Sequence, residues 1–169
     1  LAHGECCYLH LVTDAYSRKV AGWCLSPTLQ ARYTLKALKD AIKQAKECDL
    51  SQLIHHSDRD VQYCCNDYIN ELNRYSINIS MTEDYKPTDN GIAERINGII
   101  KTEKLYRQPL YDNIKEARKA IERFIDFYNK RRPHMSIGYQ TPSQVHLQSG
   151  PQKKKWKGYQ PPTSTFLGQ

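Results

Sequence analysis

Between Tyr8 and Thr82 the spacing of apolar residues switches repeatedly between strand-like alternation and helical spacing, and beyond Pro87 only the helical spacing remains. The runs YLHLVTDAY (8–16) and KVAGWCLS (19–26) are rich in β-formers and joined by a short polar turn at Ser17 and Arg18, which predicts an antiparallel hairpin. ARYTLKALKDAIKQAKE (31–47) carries Leu35, Leu38, Ile42 and Ala45 on one helical face. QLIHHS (52–57) reads as a short buried strand, NDYINELNRY (66–75) as a helix capped by Asn66, and INISMT (77–82) as a further strand. A helix starting near Pro87, Asp89 and Asn90 runs through GIAERINGIIKTEKLY, and another covers about 114–130 with Ile121, Phe124, Ile125 and Tyr128 on one face. This order predicts an α/β fold, a mixed sheet with helices packed against it, and contains no internal repeat.

The 169 residues suit one domain and, at 39% hydrophobic, can bury a core. We expect a core at 1–148 and a basic tail at 149–169, where GPQKKKWKGYQPPTSTFLGQ (150–169) loses the helical period and is rich in Gly, Pro and Lys. No stretch approaches the roughly 18 apolar residues of a membrane span, and the N-terminus lacks a signal-peptide pattern. It begins with Leu rather than Met, so an upstream segment is expected. Cys6, Cys7, Cys24, Cys48, Cys64 and Cys65 form neither a C-x-x-C nor a zinc-ribbon pattern, which suggests reduced thiols in a cytoplasmic protein. Charge is uneven. Residues 1–84 hold 9 Lys and Arg against 11 Asp and Glu, so the whole net charge of +7 lies in the second half. A basic half-chain suits a polyanionic partner, nucleic acid being the usual one.

Within LIHHSDRDVQYCCNDY (53–68), Asp58 and Asp60 stand where an apolar run stops, and ligands gather at the carboxyl ends of strands in open α/β sheets. On a wheel at about 100° per residue, Ile92, Ile96, Ile99 and Ile100 share one face of the helix that begins near residue 90, and Glu94 points away from it with Asn97, Gly98 and Lys101. Thirty-five residues separate Asp58 from Glu94. Two carboxylates facing one cavity repel unless a cation neutralises them, and hard oxygen ligands suit Mg²⁺ or Mn²⁺.

HHSDRDVQY, the 35-residue gap, DNGIAERINGIIKTE and YNKRRPHMSIGYQTPSQV (128–145) follow in that order, and VTDAYSRKVAGW (12–23) precedes them. Together, over roughly residues 7–146, they resemble the catalytic core of bacterial insertion-sequence transposases of the Asp-Asp-Glu type, relatives of retroviral integrases. The resemblance implies a ribonuclease-H-like fold in which three carboxylates hold two divalent ions, Mg²⁺ or Mn²⁺. It implies metal-dependent cleavage of phosphodiester bonds and strand transfer in DNA transposition. Asp58 takes the place of the second carboxylate and Glu94 of the third, both as catalytic residues and metal ligands. The first carboxylate falls upstream of residue 1, on a first strand that this chain is expected to lack. Asp14 matches a non-catalytic position and is expected to cap its turn, and Asp60 stands where the family usually has glycine.

Lys101, Arg95, Lys104, Arg131 and Arg132 are candidate DNA contacts, whereas His134, Pro133, Gly138 and Pro142 are read as shaping loops. KKKWK (153–157) could bind phosphates, with Trp156 free to stack on a base. The implied partners are DNA, as transposon ends and target, and further copies of the chain in a homo-oligomer, in the bacterial cytoplasm. The rival reading is a catalytically inactive DNA-binding or self-associating fragment. A nuclease that cleaves without joining shares the metal site, but the Y-N-x-x-R-P-H block counts against it.

Overall fold

A computed structural model describes residues 1–2, 4–45, 48–82, 91–107 and 109–151. The expected start signals Pro87, Asp89 and Asn90, and the KKKWK segment with Trp156, lie outside the described residues.

Strands β1 (Tyr8–Thr13) and β2 (Val20–Ser26) form the expected antiparallel hairpin, in register from Tyr8 opposite Ser26 to Val12 opposite Gly22, with an irregularity between Val12 and Thr13. Helix α1 (Ala31–Gln44) follows. Strand β3 (Ile54–Ser57) then pairs in parallel with β4 (Asn78–Met81), and the connection between them carries α2 (Val61–Cys64) and α3 (Asn66–Arg74). The described strands therefore form two two-stranded ladders, one antiparallel and one parallel. Asn66 is not the cap predicted for α3. Cys65 holds that place without a side-chain capping bond, and Asn66 is already helical.

Helix α4 (Gly91–Ile100) passes directly into a π-helical turn (Lys101–Leu105), closed by the Tyr106 amide donating to the Lys101 carbonyl at 2.9 Å. Helix α5 (Ile114–Lys130) matches its predicted span, and its Asn113 cap accepts from the amides of Lys115 and Glu116. A 3₁₀ turn (Met135–Ile137) and α6 (Pro142–His146) complete the described chain, with Thr141 and Gln144 forming a capping box.

Two apolar clusters hold these elements together. Val20 and Leu25 of β2, Ile96 and Ile100 of α4, and Ala117, Ile121, Phe124, Ile125 and Tyr128 of α5 form the larger. Leu38 and Ile42 of α1, Tyr68 and Leu72 of α3, and Ile77 form the second. The hairpin lies between α1, which approaches closely at Gly22, and the α4/α5 pair. The buried His10 is fixed by Ser26 Oγ at 2.9 Å and Thr34 Oγ1 at 2.8 Å. All six cysteines are free thiols. No described helix is long and apolar enough to cross a membrane.

Candidate functional site

Asp58 is the first residue beyond β3, at the carboxyl end of a parallel strand. Its Oδ1 accepts from the Asp60 amide at 3.3 Å, so a local turn orients the carboxylate. Burial pushes its pKa up and the charge of Asp60 adds to this, against the Asp60 amide and His56. Asp60 is exposed at the start of α2, where its Oδ2 accepts from Gln62 Nε2 at 3.4 Å. Beneath this end of the strand His55 Nε2 lies 3.1 Å from the Tyr68 hydroxyl, and burial, then the neighbouring His56, pushes its pKa down to about 4.

Helix α4 seats Ile96 and Ile100 in the core, with Ile92 and Ile99 packed beside them, as the wheel predicts. Glu94 is exposed and lines a shallow, open groove with Gly91, Arg95, Gly98, Ile99, Thr102, Glu103 and Arg132. Gly91 and Gly98 face open space there. Arg132 closes the groove through a forked pair with Glu103, Nε to Oε2 at 2.9 Å and Nη2 to Oε1 at 2.5 Å. The hydrogen bonds from Arg132 hold the Glu103 carboxyl below its ordinary pKa.

Lys101 and Arg131 are exposed and Lys104 is half-buried, and none of the three lines the groove. The groove thus brings together Glu94, Arg95 and Arg132 but does not include Asp58. Among the described residues no three or more His, Cys, Asp or Glu side chains cluster in a way that could hold an ion.

The YNKRRPH segment is tied into the fold at several points. The Tyr128 hydroxyl donates to the Arg18 carbonyl at 3.0 Å. Asn129 gives and takes a hydrogen bond with the backbone of Val20, both at 3.0 Å, as a neighbouring strand would. His134 is buried edge-on to Tyr128 with ring centroids 4.7 Å apart, and its amide donates to the Gln140 carbonyl at 3.0 Å. Gly138 ends the following turn at φ 69°, a left-handed conformation suited to glycine.

Burial, and then the charge of Arg132, pushes the His134 pKa down to about 4. The folded protein therefore holds this imidazole neutral while the unfolded chain protonates near pH 6.5. Its stabilising contribution is present above pH 6.5 and is lost as pH falls from about 6.5 to about 4. Melting temperatures across this window will fall in the wild type, and less steeply in His134→Phe, which keeps a ring against Tyr128 but cannot titrate.

Asp14 caps its turn. Oδ1 accepts from the Tyr16 amide at 3.0 Å, and Oδ2 accepts from the Ser17 amide and hydroxyl and lies 3.0 Å from His146 Nδ1. Burial opposes the charge, but these hydrogen bonds outweigh it and hold the carboxyl below its ordinary pKa. Sequence reasoning missed Glu103, Asn129 and His146 as partners of Arg132, Val20 and Asp14. Their one local signal was Asn129 and Arg132 standing in the same quoted block.

The architecture defines a class first. The fold is the ribonuclease-H-like fold of retroviral integrase catalytic cores. It aligns with a chain of the simian T-cell lymphotropic virus intasome in complex with PP2A regulatory subunit B56 gamma, at TM-score 0.67 and 21% identity over 90% of this chain and 54% of that one. It aligns with the HTLV-2 integrase catalytic core domain in complex with magnesium at TM-score 0.61 and 22% identity, over 82% and 83% of the two chains.

The chain belongs to the integrase core domain family, whose models match residues 1–87 and 75–142. It is similar to the transposase assigned to insertion sequence element IS986/IS6110 of Mycobacterium tuberculosis, 34% identical over 134 residues that make up 78% of this chain and 48% of that protein. It is also similar to the transposase InsF of insertion sequence IS3fB of Escherichia coli, 31% identical over 84% of this chain and 49% of that protein. The chain spans about half the length of these curated relatives.

Proposed function

We propose that this chain is the catalytic core of a DNA transposase that cleaves phosphodiester bonds and transfers strands with the help of Mg²⁺ or Mn²⁺. The observation that carries this reading is Glu94. It stands exposed in an open groove of an integrase core that it shares with Gly91, Arg95 and Gly98, opposite the buried isoleucines of its own helix.

Asp58 is the second carboxylate. Its protonation is favoured by burial and by the negative charge of Asp60, and no Lys or Arg among the described residues pairs with it. A hard divalent cation fits such an oxygen donor, and Asp58 and Glu94 would hold it. Ions held there would supply charge stabilisation to an in-line displacement at phosphorus. The chain's own part is to present the carboxylates and to meet the DNA backbone with Arg95, Lys101, Lys104 and Arg131. Transposon ends and target DNA are the substrates, bound by a homo-oligomer in the bacterial cytoplasm.

The test is a nicking and strand-transfer assay with Mg²⁺ or Mn²⁺, on the chain alone and on the chain extended upstream. Cleavage that depends on the metal and is lost in Asp58→Asn supports the reading. Cleavage that survives Asp58→Asn or excess chelator overturns it. DNA binding without cleavage in both forms points instead to an inactive DNA-binding fragment.

A further inference from the structure

We infer that Glu103 and Arg132 form a positioning lock for the helix that carries Glu94, and that Arg132 serves the site through this lock rather than by touching DNA. The inference rests on the transposase reading above.

The reasoning starts from how α4 is held. Its contact with the body of the protein is an isoleucine face, and burial of apolar surface is non-directional. Such a face fixes which side of the helix turns inward, but it sets rotation and axial position loosely. A forked guanidinium–carboxylate pair supplies what the isoleucines lack, because both of its bonds form in one relative orientation only.

Glu103 reaches Arg132 because of the π turn. On an unbroken α wheel with Ile92 at zero, Glu103 would fall at about 20°, in the middle of the isoleucine face. The wider turn at Lys101–Leu105 unwinds the helix and swings Glu103 back to the groove side. Thr102 steadies the transition by donating its hydroxyl to the Gly98 carbonyl at 2.8 Å.

Arg132 is a fixed partner. Its own amide donates to the Phe127 carbonyl at 3.0 Å, and it sits between Asn129, which is bonded to β2, and His134, which is packed on Tyr128. The hairpin, α5 and the loop after it therefore transmit one position to Arg132, and Arg132 transmits it to α4. Both side chains are only partly exposed, Arg132 at 24% and Glu103 at 32%. Nε and Nη2 each give one N–H to Glu103 and Nη1 lies 3.4 Å from the His134 ring nitrogens, so every nitrogen of the guanidinium already faces a protein partner.

Three measurements test this. Hydrogen exchange on this chain reads the lock without any activity. The α4 amides should exchange about tenfold faster in Arg132→Lys, which keeps the charge but cannot fork, while those of α1 and α3 stay unchanged. Unchanged α4 protection overturns the lock. DNA affinity as a function of salt separates positioning from contact. Arg132→Ala should leave the salt slope as it is, whereas a phosphate contact would lower it by about one, which would overturn the inference.

Strand nicking by the upstream-extended chain completes the test. Glu103→Gln and Arg132→Lys should each lower kcat by roughly 10–100-fold, the range of outer-shell partners, with little change in KM. The reciprocal double variant Glu103→Arg with Arg132→Glu should recover part of the loss. If the wild-type extended chain does not nick, the transposase reading fails, and exchange still decides whether the lock exists.

Discussion

Gly22→Ala will lower the melting temperature by roughly 6–12 °C, the shift that about 3 kcal/mol produces in a chain of this size. A methyl group at Gly22 would lie 2.1 Å from the Ala37 carbonyl oxygen, 2.8 Å from the Ala41 amide nitrogen and 2.9 Å from the Ala41 Cβ. Two of these three atoms are helix backbone and cannot rotate away, so α1 must lift from β2 as a unit. Overpacking in a rigid interior costs about 1–3 kcal/mol, occasionally more, and this site falls at the upper end. That is a large share of the roughly 5–15 kcal/mol that holds most domains folded.

Gly98→Ala is the matched control. Its methyl meets nothing within 4 Å, and alanine is favoured over glycine inside a helix by about 1 kcal/mol. Thermal melts should therefore move in opposite directions for the two variants. Equal losses would show that α1 does not rest on Gly22 as described.

Glu94→Gln will abolish metal-dependent nicking and strand transfer by the upstream-extended chain, with a loss exceeding the roughly 10–100-fold typical of groups that support a metal ligand from outside. The substitution keeps size and polarity and removes only the negative charge. Glu94 is exposed and opposite the packed isoleucines, so the fold and melting temperature should not change. DNA affinity without metal should hold or rise slightly, because a carboxylate facing phosphates is replaced by a neutral amide. Nicking by Glu94→Gln within tenfold of wild type would remove Glu94 from the reaction and leave the groove as a binding surface.

The parts of this fold written in local periodicity were the parts legible in the sequence. Helix α5 shows four apolar positions on one face over about two turns, and its predicted span matches. The wheel that turned Ile92, Ile96, Ile99 and Ile100 inward also turned Glu94 outward, and the structure agrees on both. Short elements were harder. Helix α2 is a single turn and has no periodicity to detect, and Asn66 looked like a cap because its side chain suits one, although the chain had turned helical a residue earlier than expected.

Long-range polar pairs were invisible. Arg132 with Glu103, Asn129 with Val20, and Asp14 with His146 each join residues 29 or more apart, and no local pattern announces which acid or amide a given side chain will meet. The same limit applies to the site. Sequence spacing nominated Asp58 and Glu94, whereas the groove around Glu94 is completed by Glu103, an acid that the sequence reading did not single out.

The π turn between Ile100 and Tyr106 makes the length of this helix matter more than its composition. Such a turn holds one residue more than the α turn it replaces. Deleting any single residue from Glu103–Leu105 would let the helix close into regular α winding. Ile96 and Ile100 would stay in the core, but whatever then occupied the place of Glu103 would face away from Arg132. Natural variation from Glu103 to Leu105 should therefore appear as substitution rather than as deletion.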